Sequence, residues 1–396
     1  MLRAGVGQSS SPSPERAAEE AANEALGQAG VDRADLALVF FTVDYLADHQ
    51  KLVATTRNIT RTDRIVGCSG TGVLTTQGEI EGGPGVAVLV LRSDTLEGEP
   101  FLFQPLRDRD QEIGLELAAK RSTKPTEQSL LVLLPDAYNG QPRRLFQGIE
   151  EETGFLPVVG AGCSENGTYG KTFQLCGDEV ATNAVSGLAL SGSFESSIGI
   201  TQGCQPVTEP MTITKAQGNL IFEINNRPAF EIFAKVIKGP LLQDLRRALA
   251  FVFAGLPSDA EKNSVAPGEY LVRNIVGLDA QKGVLALGEE VFEGERMVFT
   301  LRDAQRARED LNQMLQRQLS SLGGKRPQFG FYFNCCARGT SLYGIPGIDT
   351  AYIRQSLGDL PLIGFFGNFE LGPLGGRNHL LAYTGVLALI TEKLQS

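Results

Sequence analysis

IVGCSG at residues 65–70 is an apolar run that ends in a glycine-bracketed polar turn, and the same design returns as VVGAGCS (158–164) and LIGFFGN (362–368). Each is preceded by a first apolar run, LALVFF (36–41), LLVLLP (130–135) or FGFYFNC (329–335), and by a segment with helical spacing between the two. Each is followed by a returning run, GVAVLVL (85–91), AVSGLAL (184–190) or TGVLALI (384–390). Strand, helix, strand into a Gly-rich loop, and returning strand therefore make one unit that recurs three times. A strand–helix–strand step implies parallel pairing through a right-handed crossover. The returning run adds a neighbour to the same sheet, so the fold class is α/β with mixed sheets flanked by helices, built from repeated strand-helix-strand-strand units.

Outside the repeats, residues 8–14 are rich in Ser and Pro and are expected to be mobile, with a helix opening at Ser13-Pro14 and closing near Gly27 to Gly30. Between the second and third copies, MTITKAQGNLIFEINN (211–226) reads as a hairpin about Gln217-Gly218-Asn219. PAFEIFAKVI and LLQDLRRALAFVF have helical spacing, EYLVRNIVGL and GVLALG flank a second hairpin, and 304–322 is a helix charged on one face. The division this implies is an N-terminal extension over 1–34, a first domain over 35–227 and a second over 228–392.

Thirty-six basic against 46 acidic residues give a formal net charge of -10, which repels phosphate backbones and anionic membranes. No basic run offsets it, so neither nucleic acid nor membrane insertion is expected. Six cysteines without regular spacing read as reduced thiols, and no stretch is apolar for long enough to span a bilayer. The expected location is the cytoplasm.

IVGCSG, VVGAGCSENG, TQGCQPVTEPMTITKAQGNLIFEINNRPAFEIF and LPLIGFFGNFELGPLGGRNHLLAYTGVLAL resemble the FIST family, whose members carry adjacent FIST N-terminal and C-terminal domains; the likeness runs from about residue 35 to about 390. It implies a stand-alone sensory protein in signal transduction that binds a small molecule, with amino acids the proposed ligands. Some FIST domains occur in eukaryotic F-box proteins, but the residues before 35 are too few for an F-box. No output module is recognisable, so a sensory role would need a separate signalling protein.

Four loops carry the candidate chemistry. Glycines in GCSGTG and GAGCSENG let backbone N–H groups face a ligand, which puts Cys68, Ser69, Thr71, Cys163, Ser164 and Glu165 forward; the alternative is that these glycines only make tight turns. Neither loop is a dinucleotide fingerprint, no P-loop occurs, and no cofactor is expected. FNCCARG offers Asn334, Cys335 and Arg338, with the two adjacent cysteines on opposite faces of a strand. GNFELGPLGGRNH offers Asn368, Glu370 and Asn378. Arg338 and Glu370 could grip the two ends of an amino acid, or pair with each other as a structural ion pair. With two histidines and no CxxC or HExxH, a metal site is not expected. Two other function classes stay open: an enzyme using Cys335 as nucleophile activated by His379, and a protein-binding scaffold.

Overall fold

The computed structural model describes residues 1–120, 127–237, 244–258, 265 and 268–393. They form two compact units, one of Met1–Ile200 and Leu311–Leu380 with the C-terminal stretch from Thr384, the other of Thr201–Asp310 with Leu381–Tyr383.

In the first unit the opening strand is β1 (Leu2–Ser9), followed by helix α1 (Pro14–Ala29). The first copy supplies β2 (Leu36–Thr42), α2 (His49–Thr60), β3 (Ile65–Gly70), the hairpin β4 (Gly72–Thr75) and β5 (Gly78–Glu81), and β6 (Val86–Ser93). Next come β7 (Leu96–Phe103) and α3 (Asp110–Ala118). The second copy holds β8 (Gln128–Pro135), α4 (Pro142–Thr153), β9 (Val158–Ala161), the hairpin β10 (Gln174–Cys176) and β11 (Glu179–Ala181), β12 (Val185–Gly192), and then β13 (Phe194–Gln202).

The second unit contains β14 (Cys204–Pro206), β15 (Met211–Gln217), β16 (Leu220–Ile224), β17 (Arg227–Pro228), α5 (Ala229–Val236), β18 (Val252–Pro257), β19 (Tyr270–Arg273), β20 (Ile275–Asp279), β21 (Val284–Leu287) and β22 (Arg296–Arg302). Its nine described strands make one sheet, with β15–β16 and β20–β21 as the two hairpins read from the sequence. The helical spacing of 241–253 is only partly realised. Residues 241–243 lie outside the described residues, the helix Leu245–Ala248 is one turn long, and the β-branched and aromatic start of VFAGLP pairs into the sheet as β18 instead.

The chain re-enters the first unit in the helix Ala304–Leu322. The third copy then provides β23 (Phe329–Cys335), two short helices (Gly339–Tyr343 and Ile348–Leu357), β24 (Leu362–Gly367), the hairpin β25 (Glu370–Leu374) and β26 (Arg377–Leu381), and β27 (Thr384–Glu392).

Within each copy the first two strands pair in parallel and the returning strand pairs antiparallel to the first. Each hairpin, however, leaves its own sheet. The three six-stranded sheets run β1-β6-β2-β3-β10-β11, β7-β12-β8-β9-β25-β26 and β13-β27-β23-β24-β4-β5. The first copy therefore lends its hairpin to the third, the second to the first and the third to the second, a closed cycle with threefold pseudosymmetry. One glycine in each copy permits the close strand pairing: a Cβ on Gly67, Gly160 or Gly364 would lie 1.7, 1.9 or 1.7 Å from the carbonyl oxygen of Val39, Leu133 or Tyr332.

The N-terminus corrects one expectation. Gln8 and Ser9 close strand β1, Tyr45 Oη donates to Ser11 O (2.6 Å), and Ser13 caps α1 by accepting from Arg16 N, so the Ser/Pro-rich stretch is tied down. What the polar composition concealed is a contact of small residues. Ala17, Ala18, Ala21, Ala22 and Ala25 are buried, and a Cβ on Gly5 or Gly7 of β1 would lie 2.1 or 2.2 Å from the α1 carbonyl oxygens of Ala25 and Ala21.

Candidate functional site

At the carboxyl ends of β3, β9 and β24, equivalent residues of the three copies join by one repeated hydrogen bond. Ser164 N donates to Ser69 O (3.2 Å), Asn368 N to Gly162 O (2.9 Å) and Thr71 N to Phe366 O (3.3 Å). The side chains tighten the ring. Ser69 Oγ donates to Ser164 O (2.9 Å) and accepts from Phe173 N (3.1 Å). Ser164 Oγ donates to Phe366 O and accepts from Thr71 N (2.8 Å), while Thr71 Oγ1 donates to Phe366 O (3.2 Å). Both serines are buried and spend their hydroxyls on this seam. Thr71 is half-buried and Asn368 exposed, so these two face outward from it.

Here the copies diverge. The first passes from β3 to β4 through Thr71 and the third from β24 to β25 through Asn368-Phe369, whereas the second inserts ENGTYGK (165–171) before β10. Glu165 anchors the insert by accepting from Thr168 N (2.9 Å), Tyr169 N (2.9 Å) and Tyr138 Oη (2.7 Å). Burial pushes its carboxyl up, but these backbone and hydroxyl donors outweigh that and hold it below the usual range. Tyr138 and Tyr169 are about half exposed, and the Lys171 ammonium lies 5.6 Å from the Phe173 ring centre. The insert thus adds an anchored carboxylate, half-exposed aromatic rings and a cation in the segment that directly follows the seam residue Ser164.

The other sequence candidates lie below or beside it. Cys68 and Cys163, from different copies, are fully buried; Cys163 Sγ donates to Leu134 O (3.3 Å), and burial together with Cys163 pushes the Cys68 thiol up. Cys335, the last residue of β23, is 3% exposed, and Cys336, in the turn that follows, is exposed. Cys336 is therefore the thiol on the loop side, its N–H donating to Gly367 O (2.8 Å).

Arg338 and Asn334 turn into a buried cluster instead. Arg338 grips Asp349 with two bonds, Nε to Oδ2 (3.0 Å) and Nη2 to Oδ1 (3.1 Å), and Nη2 also donates to Tyr343 Oη (2.9 Å). Asn334 Nδ2 (3.1 Å), Tyr332 Oη (2.8 Å) and Tyr343 Oη (2.7 Å) complete the shell of Asp349. Burial alone would raise the Asp349 carboxyl; the Arg338 charge and these donors bring it below its ordinary value. Arg338 thus finds its carboxylate in Asp349 and not in Glu370.

Glu370 is also fully buried, but its Oε2 accepts from Thr384 N (3.1 Å) and Thr384 Oγ1 (2.7 Å), and no arginine or lysine pairs with it among the described residues. Burial, reinforced by neighbouring Cys335, pushes its carboxyl well up. Asn378 closes a gap before β9, accepting from Val158 N (2.9 Å) and donating to Leu156 O (2.9 Å). His379 Nε2 lies 3.1 Å from Leu374 O in its own hairpin. Sequence reading missed Asp349, Tyr343 and Thr384. The only signal at Asp349 is an acidic residue in the first turn of Ile348–Leu357, a common helix feature. Among the described residues no three His, Cys, Asp or Glu side chains gather as a metal site, and no described helix is long and apolar enough to cross a membrane.

The FIST N domain model matches residues 35–227 and the FIST C domain model residues 229–373. An uncharacterized protein of Mycobacterium tuberculosis strain H37Rv is 29% identical over 391 residues, covering 99% of this chain and 100% of that one. One of Mycobacterium bovis is 28% identical, with 100% of both chains covered. Among solved structures, a cyanuric acid hydrolase from A. caulinodans is similar at a TM-score of 0.38 and 11% identity, covering 100% of both chains.

Proposed function

Because the chain belongs to the FIST family, whose domains are sensory and signal-transduction domains, we propose that it is a cytoplasmic sensor whose small polar ligand, amino-acid-like in size and polarity, binds on the open side of the three-copy seam. One observation carries this reading: three copies converge there, and the chain breaks its own threefold pattern there with the insert 165–171. The first and third copies pass through the seam without such an insert. An added loop with an anchored carboxylate, two half-exposed tyrosines and a lysine supplies the asymmetric groups that recognition of a small polar molecule needs. Thr71, Asn368, Glu165 and Cys336 are the residues assigned to the ligand-facing side, and the signal passes to a separate protein. The burial of Cys335 beside a carboxyl group favours packing over nucleophilic catalysis.

Thermal-shift measurements across an amino-acid and polar-metabolite panel test the reading. At least one compound stabilises the protein, and Asn368→Ala or deletion of residues 166–170 removes that stabilisation. A panel with no effect at millimolar concentration, or a shift indifferent to both variants, overturns it.

A further inference from the structure

A cavity of about 590 Å³ opens at the opposite end of the first copy, where β2 and β3 begin and β6 ends. Six residues of β3 at about 3.3 Å each separate it from the seam by roughly 20 Å. Its floor is apolar, with Leu36 and Leu91, and four charged side chains line it: Arg33, Arg64, Asp35 and Glu97. Its volume falls within the usual size of small-molecule sites.

The repeats give an internal control on Arg64. Just before the second strand of each copy, the backbone accepts one equivalent hydrogen bond: Ala37 N to Arg64 O (2.9 Å), Leu131 N to Pro157 O (3.0 Å) and Gly330 N to Pro361 O (2.9 Å). Two copies meet this need with proline, so the sheet asks only for a carbonyl at this position. The guanidinium of the first copy exceeds what the fold requires. Its Nη2 donates to Gly98 O, which fixes the fork at the cavity wall, and Arg33 beside it makes no ion pair among the described residues. Asp35 is held by Ser93 N through Oδ2 (3.0 Å), and Glu97 is exposed on the rim.

We propose that this cavity is a second binding site, for a small hydroxylated molecule carrying one oxyanion head, a carboxylate or a phosphate. The two guanidinium groups take the oxyanion, since planar forks match its geometry, and Asp35 accepts from its hydroxyls, while Glu97 on the rim only opposes an anion's approach. The site is separate from the seam, and its existence does not depend on the seam binding anything.

Calorimetric titration of the full chain with inorganic phosphate, glycerol 3-phosphate and glycerate tests it. Saturable binding of one equivalent is expected, and preference between the last two probes identifies the head group. Arg33→Gln combined with Arg64→Gln weakens binding at least about tenfold, while Glu97→Lys on the rim tightens it severalfold. Asn368→Ala at the seam leaves it unchanged. No saturation by any probe at millimolar concentration overturns the proposal, as does wild-type affinity in a folded double variant. Should the double variant fail to fold, wild-type or weaker affinity in Glu97→Lys overturns it, and loss of binding in Asn368→Ala returns the ligand to the seam.

Discussion

Asp349 and Glu370 are both fully buried carboxyl groups of the third copy, yet their surroundings shift them in opposite directions. Asp349 has the bidentate guanidinium of Arg338 and three further donors, and it is ionised. Glu370 has the backbone and hydroxyl of Thr384 as donors and a thiol for a neighbour, with no counter-charge beside it, and its carboxyl is pushed well up. Burial is common to both, so the partner and not the depth decides the direction of the shift. Glu79 stands between them: half-buried, it accepts from Gly347 N (2.8 Å) and Thr350 N (3.2 Å), and burial followed by the nearby Asp349 charge pushes its carboxyl up to about 7.

The hardest way to break the contrast is to remove the counter-charge. Arg338→Met strands an anion in the interior and costs about 3–5 kcal/mol in chemical denaturation, as does Asp349→Asn, which strands the cation. A loss below about 1 kcal/mol in both would mean that Arg338 is dispensable to the charge of Asp349.

The intermediate case is read by pH. A carboxyl raised in the folded state contributes stability that is complete below its unfolded pKa near 4.5 and is lost as pH rises through about 7. Stability therefore falls across that window on account of Glu79, by on the order of 2 kcal/mol after allowance for solvent screening. Asp349, lowered on folding, acts in the opposite sense, losing its contribution only in acid. Denaturation midpoints of Glu79→Gln between pH 4.5 and 8 check this; a slope equal to that of the unsubstituted protein refutes the assignment.

Two smaller changes sharpen the Glu370 side of the comparison. Thr384→Val removes a hydroxyl donor to Glu370 and costs about 1–2 kcal/mol at pH 7. Glu370→Gln puts a neutral amide of the same shape in place of the raised carboxyl and is expected to change stability by less than about 1 kcal/mol. A cost near that of Asp349→Asn would show that Glu370 is ionised.

The repeated strand–helix–strand–strand unit could be read from IVGCSG, VVGAGCS and LIGFFGN because apolar runs and glycines mark strands locally. The exchange of hairpins could not. Gly72–Thr75 has the same local pattern whether it pairs with β3 or with β24, and only the whole assembly selects the partner. Strand β1 was hidden for a related reason: Gly5 and Gly7 weaken a strand pattern and are required only by contact with α1. At the site, three of the four proposed loops converge through Ser69, Thr71, Ser164 and Asn368. Arg338 offers a fork for a carboxylate, but charge and spacing do not say which carboxylate; its pairing with Asp349 depends on where Ile348–Leu357 docks.

The cyclic loan of hairpins also sets an order on biosynthesis. As the chain leaves the ribosome, the first sheet has all its strands once residue 181 has emerged, but the hairpin of residues 72–81 then has no sheet to join until β24 is made. The sheets built on β8 and β23 are completed only by strands ending at residues 381 and 392. The nascent protein therefore carries unpaired strand edges through most of its translation, and premature termination anywhere before the final strands leaves a product with open edges prone to self-association.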